Sequence, residues 1–155
     1  MNSNSAANGR ATTVKKMFSR ETSVAISIAA DPSIIWTLLT NAADMARWNS
    51  TIVSVTGDIR DGGQVELVST LDESRTFKLK IKEFVPEKRL AWGDFQGTRV
   101  YELKPGQNGA TIFSMNEKIG GPLFPLFARM IPPFDESFET YAADLKREAE
   151  TIQQG

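Results

Sequence analysis

The sequence predicts an α+β domain in which a curved antiparallel sheet wraps one long C-terminal helix. The first sign is a stripe at spacings of three and four, Phe134, Phe138, Tyr141, Leu145, Ala149 and Ile152, which is the period of one buried helix face. The second is a middle region of short apolar-polar alternations broken by Gly, Pro, Asp and Asn, the pattern of successive hairpins. The third is size: 155 residues with 41% apolar content suit one domain with a single core.

Taken in order, residues 1–20 hold Arg10, Lys15, Lys16 and Arg20, no acid, and mainly Ser, Asn, Ala and Thr. Such a composition buries too little apolar surface to offset its ordering entropy, so a disordered arm is expected before a domain at 21–153. From Thr22 to Ile28, Val24, Ile26 and Ile28 alternate with small polar residues, which predicts a first strand. Asp31 then Pro32 is a helix start, a capping carboxylate followed by the residue best suited to the first turn. Ile35, Leu38, Leu39 and Ala42 share one face of that helix, and a second short helical piece runs from Ala43 to Arg47.

Six strands follow at about 51–60, 64–71, 74–85, 89–95, 98–104 and 110–119, which with the first makes seven. In the third of these, Phe77, Leu79 and Ile81 alternate with Lys78, Lys80 and Lys82, so the sheet is covered on one face only. Between the last strand and the last helix, Leu123, Phe124, Leu126, Phe127, Met130, Ile131 and Phe134 crowd around four prolines. Those prolines prevent a continuous helix, and the segment reads as a kinked connection across the open end of the sheet, with Gly120 and Gly121 as hinges. The final helix carries Asp135, Glu139, Lys146 and Glu150 opposite its apolar stripe.

Composition removes several functions. A formal charge of −1 from 18 basic and 19 acidic residues offers no general attraction to nucleic acid, and no nucleic-acid partner is expected. The chain has no Cys and no His, which removes thiolate and imidazole catalysis, sulfur and histidine metal sites and disulfides, and fits the cytoplasm. No cofactor or metal is expected. Asp, Glu, Lys, Tyr and backbone groups remain for acid-base work. The oligomeric state is left open.

Several stretches together resemble the START-like, or SRPBCC, superfamily, in its polyketide cyclase/dehydrase-like branch. They are Ala30-Asp31-Pro32-Ser33 with Trp36, Leu38, Leu39 and Thr40, then Arg47-Trp48-Asn49, Pro86 with Leu90-Ala91-Trp92, Gly109-Ala110-Thr111, and the run from Phe138 to Lys146. The resemblance covers about residues 21–153. It implies a helix-grip fold, with seven strands around the C-terminal helix and the two short helices closing one end of an apolar cavity. Superfamily members include carriers, cyclases, dehydrases and co-chaperone domains, so activity has to be argued from the site.

Alternation places Phe77, Leu79, Ile81, Trp92, Tyr101, Leu103, Phe113 and Met115 on the inner face, opposite the helix stripe. An empty void of about 300 Å³ there would cost about 7 kcal/mol, so water, a ligand or collapse must relieve it. Glu117 falls in line with Phe113 and Met115. It reads either as a ligand-orienting or acid-base carboxylate or as a strand-end residue, solvated or paired with an arginine. Arg75 and Arg99 lie on faces from which either reaches Glu117 or an anionic ligand group, or else solvent. Asp94 reads as an inward acid or as a hairpin-turn residue, and Tyr101 as a cavity hydroxyl or a core aromatic. Trp36 and Trp48 line an entrance or simply anchor their helices.

The leading expectation is a carrier or sensor that binds a small hydrophobic molecule, lipid, polyketide or aromatic-like, between sheet and helix. Its expected ligand-binding residues are Trp48, Phe77, Leu79, Trp92, Arg99, Tyr101, Phe113, Met115, Glu117, Phe127, Phe134 and Phe138. One alternative is a cofactor-free cyclase, dehydrase or isomerase in which Glu117, Asp94 or Tyr101 moves a proton. Another is an interaction module that docks Leu123 to Phe134 on a protein or membrane.

Overall fold

The computed structural model describes residues 7–155. Strands β1 (Thr12–Lys15) and β2 (Ser19–Ile28) precede helices α1 (Pro32–Thr40) and α2 (Met45–Trp48). Next come β3 (Ile52–Gly57), β4 (Gln64–Ser69), β5 (Asp72–Val85), β6 (Arg89–Gly93), β7 (Gly97–Pro105) and β8 (Thr111–Gly120). Helices α3 (Phe124–Phe127) and α4 (Asp135–Gln154) finish the chain. The strands form one antiparallel sheet in the order β1-β2-β8-β7-β6-β5-β4-β3. Consecutive strands from β3 to β8 are hairpin neighbours, and β2 closes onto β8 over its full length.

Register shifts interrupt the β3–β4, β4–β5 and β5–β6 pairings. Each adds local twist, and together they curl this half of the sheet. Helix α4 lies in the curl, burying Phe138, Tyr141, Ala142, Leu145 and Ala149. Asp135 and Glu136 occupy its first turn, where carboxylates oppose the positive end of the helix dipole. Asp31 caps α1 as expected, its Oδ1 accepting from the Ser33 N–H at 2.9 Å. Trp36 packs edge-on against Phe84 at 5.3 Å and so anchors α1 to β5.

The sheet has eight strands rather than seven, because part of the expected disordered arm is ordered. Residues 1–6 of that arm lie outside the described residues. Thr12–Lys15 pairs with the start of β2, and Thr13 Oγ1 donates to Asp135 while the Ala11 N–H donates to Glu139 at 2.9 Å. A polar segment therefore orders through backbone pairing and hydrogen bonds to the polar face of α4, without an apolar core of its own. That face also holds β2: the Ala29 N–H donates to Glu150 at 2.8 Å and Lys146 Nζ donates to the Ser27 carbonyl at 2.9 Å. Ile152, assigned to the buried stripe from its spacing, is exposed because α4 has run past the sheet by its last turn.

Candidate functional site

The centre of the grip is solid. Trp92 meets Tyr101 edge-on at 5.3 Å, Tyr101 lies 5.9 Å from Tyr141, and Tyr141 stacks on Phe113 at 6.1 Å. Trp48 closes the layer edge-on against Tyr141 at 5.9 Å. With Met115 and Phe138, these side chains are buried. Of the expected ligand-binding set, Trp48, Tyr101, Phe113, Met115 and Phe138 belong to this packed layer and do not line the cavity described next. Phe127 instead meets Phe124 edge-on at 5.5 Å and does not line the cavity either.

The cavity lies at one end of the grip and has a volume of about 160 Å³. Strand β5 continues past the end of β6, and the β4–β5 and β6–β7 turns, with Met130 to Phe134, form the opening. Ile52, Leu67, Phe77, Leu79, Trp92 and Phe134 supply apolar wall. Arg75, Asp94, Arg99 and Glu117 supply its charged groups together with Asp72. Neither α1 nor α2 contributes lining; α1 follows the other end of β2, where Thr111 Oγ1 donates to the Ala30 carbonyl at 2.8 Å.

Glu117 and Arg99 are cross-strand neighbours on β8 and β7, and Arg99 Nε donates to Glu117 Oε1 at 2.8 Å. Both side chains are largely buried. The Arg99 guanidinium also lies over the Phe138 ring, 4.9 Å from its centroid. Burial works against the Arg99 charge, yet Glu117, with the phenol oxygens of Tyr101 and Tyr141, holds its pKa above the ordinary arginine range. Arg99 is thus a fixed cation, and its guanidinium has further N–H donors beyond the one given to Glu117.

Asp94 takes the turn role. Its Oδ1 accepts from the Gln96 and Gly97 N–H groups at 2.8 and 3.1 Å, closing the β6–β7 hairpin at the cavity edge. Gly93 is required there, since a Cβ would sit 2.2 Å from the Gly97 carbonyl oxygen. Arg75 lies over the Phe77 ring at 4.4 Å and donates to Gln96 Oε1 at 3.1 Å, bracing the exposed part of β5 against the same hairpin.

Arg20 was not among the expected site residues. It is buried on β2, donates to the Ile131 and Pro132 carbonyls at 3.2 and 2.8 Å, and lies over Phe134 at 5.0 Å. Burial lowers its pKa, opposed by the charges of Glu117 and Asp135. It therefore ties the proline-rich segment over the cavity to the sheet. Its only sequence signal was an arginine at an inward position of an alternating strand, extended two residues before the expected start. Ile52, Leu67 and Ile131 were likewise missed, because β3, β4 and the proline-rich segment that carry them converge only in three dimensions. Among the described residues, no cluster of acids is arranged to hold a metal ion, and no helix is long and apolar enough to cross a membrane.

An eight-stranded sheet gripping a C-terminal helix, with a small apolar cavity at one end, defines a helix-grip domain of the START-like class. Residues 19–150 match the family described as polyketide cyclase / dehydrase and lipid transport, and the chain belongs to that family. None of the curated proteins matches the sequence. Among solved structures, a protein from Nitrosomonas europaea is similar at 21% identity with a TM-score of 0.69, covering 92% of this chain and all of its own (100%). A START superfamily protein from Mycobacterium smegmatis is similar at 14% identity with a TM-score of 0.62, over 85% of this chain and 98% of its own. A conserved protein of unknown function from Enterococcus faecalis, at 16% identity and a TM-score of 0.67, covers 92% and 78%. At these identities the likeness establishes the fold.

Proposed function

We propose that the domain binds a small hydrophobic molecule in the end cavity, as a carrier or sensor. The observation that carries this reading is the cavity itself, whose apolar wall of Ile52, Leu67, Phe77, Leu79 and Trp92 meets the Arg99–Glu117 pair at one side. Left without an apolar occupant, about 160 Å³ costs up to about 4 kcal/mol by the usual cavity slope. An apolar cavity of about 150 Å³ accepts a benzene-sized molecule, so one ring or a short chain fits inside and anything longer extends through the open end. An oxygen at the ligand's polar end would accept from the Arg99 N–H groups that Glu117 leaves free. The family description, which includes lipid transport, supports the same reading.

The enzyme reading has less support from the geometry. Asp94 is committed to its turn, Tyr101 is enclosed in the aromatic layer, and Glu117 is held by Arg99.

Native mass spectrometry of untagged protein purified without detergent tests the binding reading, alongside thermal unfolding with single-ring aromatic probes. A stoichiometric apolar adduct is expected, or a probe at about 100 times its Kd that stabilises by about 2.7 kcal/mol and raises Tm by about 5–10 °C. Leu79→Trp, which fills the cavity, should abolish either effect. Absence of both an adduct and any probe-dependent shift would remove the proposal.

A further inference from the structure

The cavity end of the molecule carries exposed apolar side chains that no packing requirement explains. Phe95 at the tip of the β6–β7 hairpin is 92% exposed, Met130 82%, Leu126 79% and Met17 in the β1–β2 turn 75%, with Leu123 and Phe18 also exposed. Three separate chain segments contribute, and hydrogen bonds hold them side by side. The Gly121 N–H donates to the Phe18 carbonyl at 3.0 Å, and the Gly120 N–H donates to the Gln96 carbonyl at 3.0 Å. Arg20 ties the far end of the proline-rich segment to the start of β2. Scattered surface apolar residues are ordinary, but a group gathered on adjoining turns marks a contact surface.

Charge selects the occupant. Residues 15–20 contribute Lys15, Lys16 and Arg20, residues 120–134 contribute Arg129, and neither stretch contains an acid. Lys15, Lys16 and Arg129 are exposed beside the apolar tips. Asp94, the nearest acid in the hairpin, is turned into its own backbone. The whole chain has a formal charge of −1, so these two segments are basic on a molecule with no general attraction for anions, while the acids at the start of β5, Asp72 and Glu73, and of the start of α4, Asp135 and Glu136, lie outside them. Apolar tips on narrow turns, backed by basic side chains and without a flat sheet face, match the chemistry of an anionic bilayer surface, where the tips enter the acyl boundary and the cations meet phosphate. We infer that the Met17–Phe18 turn, Phe95 and the Leu123–Met130 segment together dock this domain on anionic membranes. The docking face adjoins the cavity at Met130 and at the β6–β7 turn that carries Phe95, and stands independently of whether the cavity holds a ligand.

Sedimentation of the full chain with phosphatidylcholine vesicles, with and without phosphatidylglycerol, tests this. Binding is expected only with the anionic lipid and should weaken as salt rises. Lys15→Gln, Lys16→Gln and Arg129→Gln combined should reduce partitioning on the order of 100-fold, about fivefold for each lost cation. Met17→Ser, Phe95→Ser and Leu126→Ser combined should reduce it independently, and these largely exposed positions, none of which lines the cavity, leave the thermal unfolding profile unchanged. In the otherwise native chain, Leu126→Trp should show emission quenched by brominated acyl chains beyond that of the native tryptophans. Failure to sediment with anionic vesicles overturns the inference, as does binding that both combined variants retain. A dimer seen by light scattering without lipid, and abolished by the serine substitutions, also overturns it by assigning the surface to a second copy of the chain.

Discussion

Alkaline unfolding asks whether solvent and ligands reach the aromatic layer or stop at the end cavity. Tyr101 and Tyr141 are the only tyrosines in the chain, and both are buried. Burial raises both phenol pKa values above the ordinary 10, against a smaller opposing effect of the Arg99 cation. A group whose folded pKa exceeds its unfolded value contributes stability that is complete below the unfolded value and is lost as pH rises towards the folded one. Each buried tyrosine therefore removes about 1.4 kcal/mol per pH unit above about 10, and the pair up to about 2.7. A domain with about 5 kcal/mol of stability reaches its midpoint roughly two pH units above 10. Near-ultraviolet phenolate absorbance and far-ultraviolet circular dichroism, followed on the same samples, should change together in one cooperative step. Tyr141→Phe should halve the phenolate amplitude and shallow the loss of stability. Phenolate absorbance that climbs gradually near pH 10 while the helix signal persists would refute the reasoning, because it would place the phenols in contact with solvent through the cavity.

Two further outcomes follow from specific contacts. Asp144 is buried on α4, accepting from the Ser50 N–H and Oγ at 2.8 and 2.7 Å and from Arg147 at 2.9 Å; Asp144→Ala should cost about 2–4 kcal/mol and lower Tm by about 5–15 °C in a thermal melt, since it detaches the α2–β3 connection from α4. Glu117→Gln should cost about 2 kcal/mol, and a double-mutant cycle with Arg99→Met should show a coupling of about 1–3 kcal/mol by denaturant unfolding; a coupling near zero would mean that water screens the pair.

The elements legible in the sequence were those whose physics is local. The alternations of β2 and β4 to β8, the Asp31–Pro32 cap and the stripe from Phe138 to Ala149 each follow from the neighbours of one residue, and each stands where expected. β1 was invisible because Thr12–Lys15 shows no apolar alternation and orders through backbone pairing with Glu21 and Thr22 across a tight turn and through Asp135 and Glu139 on α4, which are far away in sequence. The candidate site was half legible for a related reason. Alternation tells which face a residue occupies but not how far along the curl it lies, so Phe77 and Tyr101 look alike in sequence although one lines the cavity and the other fills the core. The Arg99–Glu117 pair was within reach because both sit on inward positions of strands that must be neighbours. Arg20 was out of reach because its partners are backbone carbonyls of a segment whose path no periodicity encodes.

That segment closes part of the cavity and is held to the sheet by one side chain. Met130 to Pro132 and Phe134 form part of the wall, and Arg20 holds the same stretch through two carbonyls and the Phe134 ring. Moving the segment outward breaks those hydrogen bonds and brings a buried guanidinium into solvent, which relieves the desolvation that lowers its pKa. The cost of losing the bonds is therefore partly offset by hydration of the charge, so the segment is held by a latch weaker than its contacts suggest. Sheet pairing elsewhere does not have to change, because Gly121 follows the last residue of β8 and separates the segment from the strand, and it already occupies a positive φ of 132° that a side chain would resist. The exposed tips of Leu126 and Met130 lie on this same stretch. The surface inferred to dock and the wall of the cavity are therefore parts of one continuous stretch, residues 126–134.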